Sequence, residues 1–435
     1  MPQQPANVSN TGPIGPHTIH RFTLSNGVTL LVQENHASPS VVVRGQLWAG
    51  AINDPIDLLG LSQFTATAIT RGSQKHTFSE INELVEAVGA DIYASAGRHL
   101  TLFGGKSLAE DFNFLVELLA DVLLHPVFPP DELEKIQAQA LIGLRELENS
   151  SRSQASKRFR EQLFTPNHPY SRPANGTLET VPAISREAIA SFYQTHYQPR
   201  QAIIVVVGDV VAKQTNDLFE QHLHTWQNEQ VEDPAPIPFV APVTGPSQEI
   251  HPMPGKSQSD MVLGFVGPAR NAANFYPASV GNVILGQLGL GGRLGESVRE
   301  THGLAYYVQA GLGAGLGQGS WTVSAGVNGA NVEKAIDLIL TELRRFTQEP
   351  VSEQELSQTK SYMTGILPLQ LARNEGIAGT LLHMERHNLG DDYIIRYPDI
   401  IKAVTATEIL AAAQAYIAPE NVTTAIAGDY NPTTP

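Results

Sequence analysis

The sequence of 435 residues contains no cysteine, few charged residues and few aromatic residues. The missing cysteines exclude disulfide bonds and thiolate chemistry. Only 16% of the residues are charged while 42% are hydrophobic, and this balance is typical of a globular chain with sizeable cores. No apolar run approaches the roughly 20 residues that cross a bilayer, so we expect no membrane span.

Basic residues are also scarce. The chain has 28 Lys and Arg against 43 Asp and Glu, which gives a formal net charge of −15. Nucleic acids and anionic membranes are bound through basic patches, so we expect neither as a partner. The charge would favour basic partners or peptides, and it is equally explained by simple solubility.

The N-terminal residues 1–17 are polar and rich in proline and asparagine. They lack the basic region and the apolar core of a secretory signal. We therefore expect a flexible tail here, and a cytoplasmic location or another soluble compartment.

The chain repeats a pattern in its two halves. An apolar run leads into Gly-Asp at Gly208 and again at Gly428, whose numbers differ by 220. A proline-rich stretch lies between the halves. The repeat predicts a domain at 18–225, a linker at 226–249 and a homologous domain at 250–435.

Each half is predicted to be α+β. In the first half, Asn26-Gly27 between alternating apolar residues predicts a hairpin, and Thr77 with Glu80 predicts a helix-starting capping box. A further helix is expected from Pro130 to Glu148. Strands first, then helices, then a closing strand indicate a mainly antiparallel sheet with helices packed on one face.

Three stretches resemble one peptidase family. Residues 60–73 are similar to the zinc helix of pitrilysin/insulinase-type peptidases, the inverzincins, and residues 89–95 to the strand that follows it. Residues 285–307 are similar to the family pattern L-G-x-G-x-S-S-R-L-x-x-x-x-R-E-x-x-G-L-A-Y. The chain is similar to the processing-peptidase branch of this family. This resemblance implies that the two domains form half of a clamshell that encloses a chamber.

The family's zinc ligands are replaced in this chain. Its H-x-x-E-H motif holds the metal and a general base, whereas the corresponding positions here are Gln63, Ala66 and Thr67. None of these is a good zinc ligand or base. The family's third ligand corresponds to Glu146, which alone would be a vestigial ligand or a surface carboxylate. We expect no metal in this chain and zinc in a partner subunit.

A second pair of family residues is retained. By the resemblance, Arg299 and Tyr306 would hydrogen-bond the carbonyl groups of a peptide and position it over the metal. A guanidinium and a phenol suit a carbonyl on which charge develops. Read without the resemblance, Arg299 would cap a helix and Tyr306 would pack at the start of a strand.

Two other patterns imitate binding sites. His383 and His387 have the i, i+4 spacing of metal ligands, but no third ligand is evident, so surface or interface histidines are favoured over a metal site. The alternating glycines of residues 311–319 precede another apparent strand. They therefore predict a flexible strand or a hairpin and not a phosphate-binding loop.

The sequence thus predicts a noncatalytic, substrate-binding subunit of a heterodimeric zinc metalloendopeptidase that acts on unfolded peptides. A homologous partner would carry H-x-x-E-H and the zinc. The isolated chain would be inactive, with a homodimer as one form it could take. The alternative is a scaffold or interaction protein of the same fold without a proteolytic role.

Overall fold

A computed structural model describes residues 13–227, 236–241, 243–288 and 291–432. The predicted tail up to residue 12 and the linker at 228–235 and 242 lie outside the described residues. Within the described residues, the strands are β1 Ile19–Thr23, β2 Thr29–Glu34, β3 Ser40–Leu47, β4 Asp91–Ala96, β5 Thr101–Leu108, β6 Ile203–Gly208, β7 Ser247–Pro252, β8 Ser259–Val266, β9 Ala305–Leu312, β10 Ser320–Val327 and β11 Thr423–Gly428.

Helices are interspersed with the strands along each half. In the described residues they are α1 Leu61–Ala68, α2 Phe78–Ala87, α3 Phe112–Leu124, α4 Pro130–Glu148, α5 Ser151–Leu163, α6 Arg186–His196, α7 Ala212–Leu223, α8 Phe275–Asn282, α9 Val332–Gln348, α10 Glu353–Gln370, α11 Asn374–Arg386, α12 Tyr393–Ala403 and α13 Ala406–Tyr416. Two further segments, Val283–Gln287 and Gly295–Thr301, have π-type geometry.

The first compact unit contains a six-stranded sheet. Its described residues fall within Met1–Leu141, Ala174–Ala235 and Leu367–Arg396. The strand order is β1-β2-β6-β3-β5-β4. All neighbouring strands are antiparallel except β2 and β6. The predicted hairpin joins β1 to β2, and the capping box of Thr77 and Glu80 begins α2.

The second compact unit repeats this topology. Its described residues fall within Ile142–Pro173, Pro236–Ile366 and Tyr397–Pro435, and its strand order is β7-β11-β8-β10-β9. Replacing each strand by its counterpart gives β2-β6-β3-β5-β4, the order of the first sheet without β1. The pair β7 and β11 is parallel, as β2 and β6 are. The prediction of two homologous, mainly antiparallel α+β domains is therefore confirmed.

Each unit takes one helix from the opposite half of the sequence. Helix α5, from the first half, packs on β8 and β11 of the second sheet. Helix α11, from the second half, packs on β3 and β6 of the first sheet. Beside the main helical layer on one face, a single exchanged helix thus covers the other face. The compact units are discontinuous in sequence, unlike the continuous ranges 18–225 and 250–435.

The core of the second unit lies between its sheet and helices α9 and α13. It contains Trp321 of β10 and Phe346 of α9, which meet edge to face at 6.4 Å between ring centroids. The opposite face of the sheet packs on α5, where Phe159 is buried. Burial on both faces explains why β8 is apolar along most of its length.

Among the described residues, no single helix is both long and apolar enough to cross a membrane. The bent pair Tyr393–Ala403 and Ala406–Asn421 meets the criteria of length and composition only, with a 90° bend.

Candidate functional site

The helix that resembles a zinc helix keeps its framework. Gly60 precedes α1 with φ +97, a conformation that favours glycine. The buried carboxylate of Asp54 accepts hydrogen bonds from the backbone N–H groups of Gly60 and Ser62, both at 2.9 Å. These bonds satisfy donors at the start of the helix and favour its positive end. The helix is therefore fixed in place without a metal.

Gln63 occupies the position of the first histidine and bonds to protein atoms. Its Oε1 accepts the backbone N–H of Ala96 at 2.9 Å, and its Nε2 donates to the hydroxyl of Thr67 at 3.3 Å. Ala96 is the last residue of β4. The side-chain amide thus links α1 to the end of an edge strand.

The other two motif positions offer no replacement ligand. Ala66 is completely buried, so its methyl group packs where the family has a catalytic carboxylate. The hydroxyl of Thr67 donates back to the carbonyl of Gln63 at 3.0 Å. A water molecule at this position would have neither a metal nor a base to activate it.

Zinc does not fit this set of residues. Glu146 is exposed on the last turn of α4, and a single carboxylate does not make a zinc site. Across the described parts of the chain, there is no group of three or more His, Cys, Asp or Glu arranged to hold a metal ion. His383 lies on α11 and His387 is the C-cap residue of that helix, with their ring centroids 4.6 Å apart.

Arg299 lies in the π-type segment Gly295–Thr301 of the second unit, with its side chain exposed. Its carbonyl accepts the backbone N–H of Gly303 at 2.9 Å, and Gly303 adopts φ +62 as the chain turns toward β9. The backbone of Arg299 therefore closes the helix. The guanidinium has no hydrogen-bond partner within the described structure and is available to a ligand. π-Type turns are frequent at functional sites.

Tyr306 is the extra residue of a β-bulge, which the sequence did not predict. Tyr307 pairs with Gly326 of β10, and Ala305 pairs with Val327, so Tyr306 has no opposite residue. In a regular strand its side chain would share the buried face of Val308. It is instead 60% exposed, with no hydrogen bond to any described residue. Bulges redirect side chains next to active sites.

The sequence analysis also missed a cavity in the second unit. Its volume is about 530 Å³, and its lining includes Leu288, Glu296, Glu300 and Tyr362. One wall is an ion pair between Arg293 and Glu355, whose atoms approach to 2.7 Å. Hydrogen bonding to the buried guanidinium lowers the pKa of Glu355 to about 2. No recognisable sequence motif pointed to this cavity.

The duplicated α+β units and the helix without metal ligands define a peptidase-like fold with a degenerate metal site. Family models agree with this class. Residues 29–177 match the model "Insulinase (Peptidase family M16)", and residues 183–363 match the model "Peptidase M16 inactive domain". The chain belongs to the M16 peptidase family.

Curated relatives with similar sequences are named as uncharacterized zinc proteases. One from Bacillus subtilis is 23% identical over 353 residues, which cover 81% of this chain and 84% of the relative. Another, from Rickettsia bellii, is 20% identical over 417 residues, or 94% of this chain and 97% of the relative. These likenesses extend over both predicted domains.

Solved structures share the fold. The peptidase M16 inactive domain from Pseudomonas fluorescens has a TM-score of 0.89 at 23% identity, with 96% of this chain and 99% of that chain covered. A protease from Helicobacter pylori has a TM-score of 0.88 at 17% identity, with 96% and 100% covered. At these identities the comparison concerns the fold alone.

Proposed function

We propose that this chain is the noncatalytic subunit of a two-chain zinc metalloendopeptidase. A homologous partner carries H-x-x-E-H and the zinc. This chain supplies Arg299 and Tyr306, which hold an unfolded peptide substrate by its backbone carbonyl groups.

The observation that carries the proposal is a contrast between two sets of family residues. The metal positions are filled by side chains that serve packing and internal hydrogen bonds, Ala66 and Gln63 in particular. Arg299 and Tyr306 instead project into solvent without partners in the described structure. A bulge that turns a tyrosine side chain into solvent is a feature that occurs next to active sites. The contrast supports a chain that has lost the residues for hydrolysis and has kept the residues that contact the substrate.

The edge strand β9 suits an extended peptide. It ends the strand order of its sheet, so one row of its backbone groups lacks a strand partner in the described structure. Peptides commonly bind by adding a strand to such an edge. At β4, the counterpart of β9 in the first unit, the N–H of Ala96 is already bonded to Gln63. The residues of β9 are therefore the better site for peptide pairing.

Reconstitution with variants tests the proposal. The wild-type chain and a zinc-bearing M16 homologue from the same organism are mixed, and hydrolysis of an unfolded peptide is measured. Loss of a donor to a developing oxyanion costs on the order of 10²-fold in rate. We therefore expect Arg299→Ala and Tyr306→Phe to lower turnover by about that factor, with less than additive losses in the double variant.

Arg344→Ala is the matched control, because Arg344 is an exposed arginine of the same unit on α9. It should leave turnover unchanged. If the double variant supports wild-type turnover in a verified heterodimer, Arg299 and Tyr306 do not hold substrate. If this chain raises the activity of no zinc-bearing homologue, the proposal is replaced by its alternative, a scaffold or interaction protein without a proteolytic role.

A further inference from the structure

A buried carboxylate lies beside the bulge that carries Tyr306. Asp260, on β8, is 2% exposed. It accepts hydrogen bonds from the hydroxyl of Ser151 at 2.5 Å, the hydroxyl of Tyr307 at 2.6 Å and the amide of Gln258 at 2.8 Å. All three donors are neutral. Since a buried charge is costly without compensation, this set of bonds is what makes the carboxylate tolerable.

The duplicated fold does not require a carboxylate at this place. Asp260 pairs with Ala427 of β11, and Val42 pairs with Val207 of β6, the position that precedes Ala427 by 220. Val42 is therefore the counterpart of Asp260 in the first unit. It is an apolar residue with 3% exposure. The same strand position is filled by packing alone in one unit and by a charged network in the other.

The hydrogen bonds of Asp260 include one from Tyr307, the residue next to Tyr306. Tyr307 closes the bulge through its pairing with Gly326, and its hydroxyl is fixed by Asp260. The guanidinium of Arg152, on α5, lies 4.6 Å from the centre of the Tyr307 ring. Burial and the neighbouring Asp260 raise the pKa of Tyr307, so its hydroxyl remains a donor at neutral pH. The ring of Tyr307 is thus held at its face by Arg152 and at its hydroxyl by Asp260.

We propose that Asp260 is a positioning residue for Tyr306. Its hydrogen bond to Tyr307 fixes the bulge, and the bulge turns the Tyr306 side chain out of the buried face of β9 toward the peptide. The orientation of Tyr306 is a property of this chain alone. Its effect on hydrolysis rests on the proposed function.

The orientation is tested on the isolated chain by NMR of ring-labelled tyrosine, with the Tyr306 signal assigned from Tyr306→Phe. A soluble paramagnetic agent broadens exposed rings. We expect Tyr307→Phe and Asp260→Asn to reduce the broadening of Tyr306 at least about twofold, as the bulge relaxes toward regular pairing. The matched control is Tyr430→Phe, which removes another tyrosine–carboxylate hydrogen bond of the same unit, 3.3 Å to Glu333.

Unchanged broadening of Tyr306 in a folded Tyr307→Phe chain overturns the inference. This variant keeps the bonds of Asp260 to Ser151 and Gln258, so it decides the matter even if Asp260→Asn does not fold. Because no partner is needed, the result is independent of whether a heterodimer exists.

A double-variant experiment in the assembled peptidase distinguishes a positioning role of this network from a general effect on stability. Tyr307→Phe should lower kcat about tenfold in the wild-type background and have no further effect in a Tyr306→Phe background, because it acts through Tyr306. Equal losses in both backgrounds contradict a positioning role. A wild-type mixture without activity refutes the proposed function, whereas the NMR result still decides the inference.

Discussion

At the scale of single residues, Gln63 occupies the first metal position of the family motif and links α1 to β4 by a hydrogen bond. Gln63, Ala66 and Thr67 could be aligned with a metal motif because the residues around them are retained. That Gln63 joins α1 to β4 depends on a contact between residues 33 positions apart. Only the folded chain brings these two groups together.

Gln63→Ala should lower the free energy of unfolding by about 1–2 kcal/mol, because the N–H of Ala96 loses its acceptor. Urea unfolding of the isolated chain measures the change. Gln221→Ala, at an exposed position on α7 of the same unit, is the control and should stay within about 0.5 kcal/mol of wild type. Equal stability of the two variants would show that the Gln63 bond contributes nothing.

The turn between Arg299 and Tyr306 gives a second prediction at this scale. Gly303 adopts φ +62, and a Cβ there would meet no atom within 4 Å. Substitution therefore costs only backbone strain. Gly303→Ala should destabilise the chain by about 1 kcal/mol and Gly303→Asn by less, since asparagine tolerates this conformation better. Thermal unfolding of both variants checks the order, and a larger loss for asparagine contradicts the explanation.

At the scale of elements, short sequence patterns predicted the helices and turns whose structure depends mainly on neighbouring residues. The helix predicted from Pro130 to Glu148 has those bounds as α4, and the predicted capping box of Thr77 and Glu80 begins α2. The alternating glycines lie in the hairpin between β9 and β10, as predicted. The bulge at Tyr306 was missed because register depends on the partner strand.

Arg293 lies between the two π-type segments, and its ion pair with Glu355 connects this part of the chain to α10. Hydrogen bonding to Arg293 lowers the pKa of Glu355 to about 2, well below the ordinary value for glutamate. A depressed carboxylate pKa stabilises the fold fully above the unfolded value, and this contribution is lost as pH falls toward 2. Removing the carboxylate leaves the buried guanidinium of Arg293 without this partner, at a cost of about 1.5–3 kcal/mol.

Glu355→Gln should therefore be less stable than wild type at pH 7, and the difference should shrink between about pH 4.5 and pH 2. Urea unfolding at several pH values measures it. Glu353→Gln, in the first turn of the same helix, is the control for helix-end charge. A difference that stays constant down to pH 2 contradicts the assignment of this stability to the ion pair.

At the scale of the whole molecule, the repeat at an interval of 220 residues predicted the duplication, and the shared strand order confirms it. The exchange of α5 and α11 was not predicted. Either helix could satisfy its apolar face against either sheet, so periodicity does not say which sheet it covers. The divergence of Asp260 from Val42 likewise became visible only once strand register identified them as counterparts.

The duplication also indicates where the two units differ in function. The first unit carries the degenerate metal helix, and the second carries Arg299, Tyr306 and the Asp260 network. Under the proposed function, a chain with this division of residues supplies substrate contacts without a hydrolytic centre. Its activity would then depend on a second chain.

The most direct test of this account is to vary the ratio of this chain to its zinc-bearing homologue. This chain and its zinc-bearing homologue are mixed at constant total concentration and varying ratio, and the initial rate of hydrolysis of an unfolded peptide is measured with zinc present. The account predicts no activity for either chain alone and a maximum at an equimolar ratio. A rate that rises in simple proportion to the zinc-bearing homologue, with its highest value in the absence of this chain, would contradict it.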